Sequence, residues 1–280
     1  MKNHVYIYLI LLITFLTSES KAQLVPVTDQ KEFVDSLKKD LDYGPTYGLY
    51  KDNYFVVGTN PLAKPTSTNS DVKFQLSFMF HLTKATLPWN TYLFLQYTQK
   101  TFWNVFQESL PMRDINFNPG IGWTKPFFSK DRFIGKFTLL IEHESNGRDG
   151  DASRSWNKIS FCGSTMIDEW LMVHAKYWIP LIDGGNNKDI LKYCGIYQGG
   201  FVVTSRNKRW NWGLTWVKRQ GWNLNFNTIW EASWMASKKM NLNLFAQYYN
   251  GYGENLIDYK EFHSRLRVGI VFKPSFMSNF

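Results

Sequence analysis

Alternation of apolar and polar residues recurs along most of this chain and limits how it can fold. One segment places large apolar side chains at every second position: Phe74, Leu76, Phe78, Phe80 and Leu82. The positions between them carry Lys73, Gln75, Ser77, Met79 and His81. Side chains two residues apart point to the same face of a strand, so this segment predicts a strand with one apolar and one mainly polar face.

The same pattern returns toward the C-terminus. It runs through residues 223–230, 241–248 and 265–273, where asparagine, glutamine or arginine fill many of the polar positions. Turn-forming residues separate the segments, as in Gly251-Tyr252-Gly253. From about residue 45 onward there is room for roughly twelve strands of about nine to eleven residues each. The pattern therefore predicts an all-β protein, an antiparallel β-barrel of about twelve strands, with no second domain.

Composition favours a barrel in a membrane over a soluble one. Aromatic residues make up 18% of the chain, with Trp 12, Tyr 15 and Phe 22, yet the mean hydropathy is -0.33. Membrane barrels have this composition because aromatic girdles at both interfaces accompany a polar interior. An aromatic-rich soluble β-sandwich or barrel is the alternative. The terminal Phe280 follows the last alternating segment, and an aromatic C-terminus is a feature that the assembly machinery of outer-membrane barrels reads.

The N-terminus has the pattern of a secretory signal peptide. Lys2 supplies positive charge, residues 5–16 form an apolar run, and Ser20-Lys21-Ala22 offers small residues for cleavage. The run is too short for a membrane anchor, which needs about twenty apolar residues. We therefore predict three parts: a signal peptide at 1–22, a periplasmic segment with a short helix or strap at 23–44, and the transmembrane barrel at 45–280.

Charge and cysteine content exclude only a few classes of function. The formal net charge is +9, and loss of Lys2, Lys21 and Glu19 with the signal peptide would leave +8. The cations are spread singly and form no stripe, which argues against nucleic acid as a partner and suits anionic lipid headgroups or pairing in the interior better. Cys162 and Cys194 either form a disulfide or remain separate thiols, and their spacing is not that of a metal site.

A histidine, a serine and an asparagine stand at spacings suited to ester cleavage. The alternating run that ends at Ser145 puts His143 on the same face as Ser145 and Ile141. A serine hydroxyl becomes nucleophilic when a base takes its proton, and that base works when a third group fixes its tautomer. Asn157, on the next predicted strand, can be that group. The alternatives are an ordinary strand histidine and a plain turn after Ser145.

Several separated motifs extend this pattern. They are residues 72–77 (Val-Lys-Phe-Gln-Leu-Ser), 97–100 (Tyr-Thr-Gln-Lys), 143–147 (His-Glu-Ser-Asn-Gly), 153–157 (Ser-Arg-Ser-Trp-Asn), 251–254 (Gly-Tyr-Gly-Glu) and 256–259 (Leu-Ile-Asp-Tyr). In order and spacing the chain resembles the outer membrane phospholipase A family of Gram-negative bacteria. This resemblance implies a monomeric twelve-stranded barrel with its active site on the outside, and activity that follows calcium-dependent dimerisation.

The resemblance also implies roles for individual residues. The catalytic residues would be Ser145 as nucleophile, His143 as general base and Asn157 as the group that orients the imidazole. The backbone N–H of Gly147 would help to stabilise the oxyanion, and Gln99 would lie at the interface of a homodimer.

A calcium ion (Ca2+) is the implied cofactor. Its ligands would be the Ser153 hydroxyl, the Arg148 backbone carbonyl and Ser109 of the second subunit. Asp149 and Asp151 lie in the same loop, and they either tighten calcium binding or simply form a turn.

Together these observations predict an enzyme of the outer membrane that hydrolyses acyl esters of glycerophospholipids (A1/A2 activity), with its site at the outer leaflet. The chain has no Gly-x-Ser-x-Gly elbow, so the α/β-hydrolase route to an esterase is absent. Two alternatives stay open. One is a non-catalytic porin or structural barrel with a vestigial site, and the other is a different exported lipid esterase or acyltransferase on the same scaffold.

Overall fold

Strands make up most of the regular structure. The structure, a computed structural model, describes residues 47–83, 87–129, 132–181, 185–236 and 242–274, so the predicted signal peptide, the segment at 23–44 and Phe280 lie outside the described residues. The strands are β1 (Tyr47–Leu49), β2 (Asn53–Thr59), β3 (Ser70–His81), β4 (Tyr92–Trp103), β5 (Met112–Ser129), β6 (Arg132–Ser145), β7 (Ser155–Asp168), β8 (Leu171–Leu181), β9 (Tyr197–Thr204), β10 (Trp210–Lys218), β11 (Phe226–Trp234), β12 (Leu242–Gly251) and β13 (His263–Phe272). A short helix, α1 (Leu191–Cys194), lies between β8 and β9.

The strands close into a barrel. From β2 to β13 each strand pairs antiparallel with the next, and β13 returns to pair with β2. The short β1 pairs with β3, as β2 does, so β1 and β2 together act as one interrupted strand beside β3. The result is the twelve-stranded antiparallel barrel that the sequence predicts. Within the described ranges, no helix has the length and hydropathy needed to cross a bilayer.

The two faces of the barrel wall differ in polarity as the alternation predicts. On β3, Leu76 is 48% exposed on the outer face whereas Ser77, the next residue, is fully buried toward the lumen. On β13, Val268 is exposed and Arg267 is buried. The alternation is less accurate at strand ends, because Leu224 lies in the loop before β11 and not in the strand. Apolar side chains thus cover the outside of the wall.

The lumen is filled by paired charges. The Arg267 guanidinium donates to Asp71 at 2.6 and 2.7 Å and to Glu254 at 2.6 Å. Across the lumen, Lys176 Nζ lies 2.5 Å from Glu142 Oε1. Burying ions in this way is tolerated when each is paired and hydrogen-bonded. About 250 Å³ of cavity remains among these side chains.

Two loops cover the end of the barrel at which β6 ends and β7 begins. They are residues 185–196, which contain α1, and residues 252–262, here called the mouth loop. An apolar cluster joins them to the wall: Trp156, Trp178, Ile190, Leu256 and Tyr259. The Tyr259 hydroxyl donates to Asp189 Oδ1 at 2.5 Å. Burial and this bond raise the pKa of Tyr259 to about 12, and the same bond lowers the pKa of Asp189.

Candidate active site

Antiparallel pairing of β6 and β7 brings the histidine and the asparagine together. His143 and Asn157 are direct cross-strand partners, and Ser145 lies opposite Ser155. The His143 Nδ1 and Asn157 Oδ1 atoms are 2.8 Å apart. Because an amide oxygen only accepts, this bond requires the proton on Nδ1. In a neutral ring with that tautomer, the other nitrogen, Nε2, is the acceptor.

His143 and Ser145 alternate with residues of the lumen. Ile141, two positions before His143, is 56% exposed on the outer face. The intervening Glu142 is 3% exposed, and Glu144 is paired inside with Lys158 at 2.7 Å. His143 and Ser145 therefore share the outer side of the wall with Ile141. The hydrogen bonds made by the described residues do not include one between the Ser145 hydroxyl and the imidazole, and such bonds often tighten only when substrate is bound.

A groove of about 590 Å³ runs along the outside of the barrel beside the histidine. Apolar and aromatic side chains of four adjacent strands line most of it: Phe78, Phe80, Leu95, Tyr97, Pro119, Ile121 and Ile141. His143 and Asn157 lie at its border. The groove therefore joins an apolar surface of the outer wall to the polar groups of the site.

Asn146 organises the loop that follows the serine. It is buried, its Nδ2 donates to the Ala152 carbonyl at 2.9 Å, and its Oδ1 accepts from the Arg154 N–H at 2.9 Å. Gly147 has a φ of 64°, a conformation that favours glycine, and a Cβ there would lie 2.8 Å from the Phe117 ring. Hydrogen bonds within the loop thus fix its shape, and the backbone conformation at position 147 favours glycine.

The predicted calcium ligands are oxygen atoms from two loops. Within the described part of the chain, neither the Ser153 hydroxyl nor the Arg148 carbonyl takes part in a hydrogen bond, so both are available as hard donors of the kind that calcium prefers. Ser109 is exposed and has a φ of 64°, which is strained for a residue with a side chain. Asp149 and Asp151 are also exposed.

Gln99 finds partners on its own strand. Its Oε1 accepts from the Tyr97 hydroxyl at 2.9 Å, and its Nε2 donates to Thr101 Oγ1 at 3.2 Å. The three side chains are spaced two residues apart and so share a face of β4. The amide therefore has partners within its own chain.

Two further residues at the site were missed from the sequence. Asn187 is fully buried, and its side chain bonds the Ser155 carbonyl at 2.8 Å and the Ser155 N–H at 3.3 Å. It thereby acts as a strand partner for β7 beyond the end of β8. Asp114, also fully buried, lies beside Arg148. Neither residue stands in a motif that the sequence analysis identifies, and neither has a local pattern that indicates its partner.

A second group of possible metal ligands lies in and beside the mouth loop. One ligand atom each from Asp258, Glu261 and His263 lies within 4.8 Å of the others. Arg113 bonds Asp258 and also lies 3.4 Å from Glu261. Arg113 therefore already pairs with both carboxylates of this group, which is separate from the predicted calcium ligands.

The cysteines are both free. Cys162 lies on β7 and Cys194 ends α1, and no disulfide joins them. The question that the sequence left open is thus answered in favour of separate thiols.

The fold and the site define a class: a β-barrel with an apolar outer wall, on which a histidine two residues from a serine is hydrogen-bonded to an asparagine of the next strand. Comparison with known proteins gives the family. A family model described as Phospholipase A1 matches residues 45–272. The chain is 34% identical over 218 residues to the Phospholipase A1 of Escherichia coli K12, covering 74% of this chain and 71% of that one. It is 32% identical over 223 residues to the Phospholipase A1 of Proteus vulgaris, covering 75% and 72%.

Solved structures agree. The outer membrane phospholipase A of Escherichia coli superposes with a TM-score of 0.72 at 27% identity, covering 83% of this chain and 100% of that one. A Salmonella typhi outer membrane phospholipase dimer with bound calcium also gives 0.72, at 25% identity over 88% and 99%. The chain belongs to the phospholipase A1 family. The barrel and its relatives assign it to the outer membrane of a Gram-negative bacterium.

Proposed function

We propose that this protein is a phospholipase A that hydrolyses acyl esters of glycerophospholipids with Ser145, His143 and Asn157. The observation that carries the proposal is the 2.8 Å bond between His143 Nδ1 and Asn157 Oδ1 on the outer wall, two residues from Ser145. The names of the relatives, which are phospholipases A1, support the same substrate class. An active-site asparagine-to-alanine variant of the Escherichia coli protein, 25% identical, supports a role for Asn157.

The chemistry follows from the tautomer. With the proton on Nδ1, Nε2 of His143 accepts the proton of Ser145 as its oxygen attacks the ester carbonyl. The imidazolium then gives this proton to the departing glycerol oxygen, which leaves the acyl group on Ser145 and releases a lysophospholipid. Water, deprotonated by the same imidazole, releases the fatty acid and restores the serine. The Gly147 N–H would donate a hydrogen bond to the oxyanion that forms in each of the two steps.

Asparagine suits a site on the outer wall. An aspartate there would carry a charge next to lipid, which is costly to bury without a partner. The neutral amide still fixes the tautomer of the imidazole. An asparagine, however, stabilises the imidazolium less than a carboxylate would.

The external groove supports a lipid substrate. Its apolar lining beside His143 offers an acyl chain a surface along Phe78 and Ile121 while the ester lies at the polar end. Because the polar end lies where β6 and β7 meet the covering loops, we place it at the outer leaflet.

Calcium and dimerisation belong to the same proposal. Ser153 and the Arg148 carbonyl would hold the ion together with Ser109 of a second copy, and a bound calcium ion would supply positive charge near the reacting carbonyl. The relative from Salmonella typhi is described as a dimer with bound calcium. Gln99, on the outer wall of β4, would exchange its bonds with Tyr97 and Thr101 for bonds across the interface.

A passive porin is the less favourable reading, because ion pairs fill the lumen and the mouth loop covers one end. The test is fatty acid release from phospholipid–detergent micelles with calcium, by the wild type, Ser145→Ala and Ser155→Ala. Ser155 is the matched control, since it lies directly opposite Ser145 on β7. We expect no release by Ser145→Ala and nearly normal release by Ser155→Ala. Normal release by Ser145→Ala would overturn the proposal.

A further inference from the structure

A single carboxylate, that of Asp114 near the N-terminal end of β5, holds the mouth loop. Asp114 is fully buried, and its Oδ2 accepts the backbone N–H groups of Leu256 and Ile257 at 3.1 and 3.0 Å. Asn116 Nδ2 donates to the same oxygen at 2.5 Å. One oxygen of Asp114 is therefore fully used in fixing the backbone of the mouth loop.

The other oxygen of Asp114 faces the loop after Ser145. Oδ1 is buried and has no hydrogen-bond partner among the described residues, and it lies 3.8 Å from Arg148 Nε. The same guanidinium donates from Nη2 to the Arg113 carbonyl at 2.5 Å. A buried carboxylate oxygen is costly unless something compensates its charge, and Arg148 is the cation that does so.

Strand register explains why these groups meet. Phe117 of β5 is the partner of Ser145, the last residue of β6. Asp114 lies three residues before Phe117 on β5. Arg148 lies three residues after Ser145, in the loop that follows β6. Because β5 extends beyond the end of β6, it lies beside the loop that follows Ser145. Asp114 and the Arg113 carbonyl hold the Arg148 side chain against β5.

We propose that Asp114 is a positioning residue for calcium binding: by holding the Arg148 side chain, it sets where the Arg148 backbone carbonyl lies. The inference rests on the proposed function for the identity of the ligand. It adds that one carboxylate connects the loop after Ser145 to the mouth loop. Oδ1 faces Arg148 in the first loop, and Oδ2 accepts hydrogen bonds from the backbone of the second. Calcium affinity thus depends on a residue that does not touch the ion.

The test uses Asp114→Asn in the full-length, detergent-folded protein. Asparagine keeps an oxygen for Leu256 and Ile257 but presents an N–H donor to Arg148, so it loosens only one of the two attachments. Titration calorimetry with calcium chloride is the first readout, and the calcium concentration for half-maximal fatty acid release is the second. We expect both to weaken about fivefold, a size typical of one partly exposed ion pair, while kcat at saturating calcium stays within about twofold.

Two further variants keep the test decisive. Asp189→Asn removes a carboxylate at the same end of the barrel that bonds Tyr259 and Lys260 and not Arg148, so it should leave calcium binding unchanged. Arg148→Ala keeps the carbonyl but loses the side chain, and should weaken binding as much as Asp114→Asn does, with no further loss in the double variant. If Asp114→Asn does not assemble, Arg148→Ala carries the test alone.

The outcomes separate this inference from the proposed function. Wild-type calcium affinity in Asp114→Asn, or in Arg148→Ala when only that variant assembles, overturns the inference even if lipid is hydrolysed normally. Additive losses in the double variant also overturn it, as does a wild-type protein that binds no calcium. If calcium binding weakens as expected but the wild type hydrolyses no lipid, the inference stands and the proposed function fails.

Discussion

Removing the amide of Asn157 should slow the enzyme without unfolding it. The 2.8 Å bond joins His143 to an uncharged amide, and it becomes a bond from an imidazolium once the ring has taken the proton of Ser145. Hydrogen bonds to charged groups are worth about 1.5–3 kcal/mol. With about 1.36 kcal/mol for each tenfold change in rate, Asn157→Ala should lower kcat about 10- to 150-fold. His143→Ala should lower it further, because the base itself is lost.

The assay is steady-state cleavage of a thioester phospholipid analogue in mixed micelles at saturating calcium, with kcat and KM determined separately. Asn250→Ala is the control, since it removes an outward amide of β12, on the opposite side of the barrel, that bonds Tyr248. Its kcat should equal that of the wild type. A kcat for Asn157→Ala within about twofold of the wild type would refute the orienting role, and a kcat as low as that of Ser145→Ala would refute the calculated magnitude.

Other substitutions test separate parts of the account. Gly147→Ala should lower activity strongly while the barrel still folds, because the φ of 64° favours glycine and a Cβ would lie 2.8 Å from the Phe117 ring; heat-modifiable gel mobility and fatty acid release check this. Leu139→Arg, on the outer face near the middle of β6, should cost about 2–4 kcal/mol of folding stability in lipid, measured by urea titration in vesicles. Gln99→Ala should lower the calcium-induced dimer fraction in crosslinking and leave the monomer's urea midpoint nearly unchanged; an unaltered dimer fraction would exclude the interface role.

Strand faces could be predicted because they depend on neighbouring residues alone. The alternation assigned Leu76 to the outer face and Ser77 to the lumen, and the structure agrees. Closure at twelve strands followed from segment lengths. The end of a strand is harder to predict, because it depends on where the partner strand stops, and for this reason Leu224 was assigned wrongly to a strand.

Contacts between distant segments could not be predicted from the sequence. Asp114 meets Leu256 across 142 positions of the chain, and Asn187 meets Ser155 across 32. Nothing in the local pattern of either residue indicates its partner. Gln99 is the opposite case, because its partners Tyr97 and Thr101 are each two residues away on the same strand. Period-two spacing would have revealed both partners.

The most direct test of the central claim is covalent labelling of the nucleophile. The folded protein would be treated with a fluorophosphonate that carries a long alkyl chain, with calcium present, and the modified residue identified by peptide mass spectrometry. We expect one label per chain, on Ser145, slowed strongly in His143→Ala and less in Asn157→Ala. A label on Ser155 or on any other residue, or no label on a protein that hydrolyses phospholipid, would contradict the account.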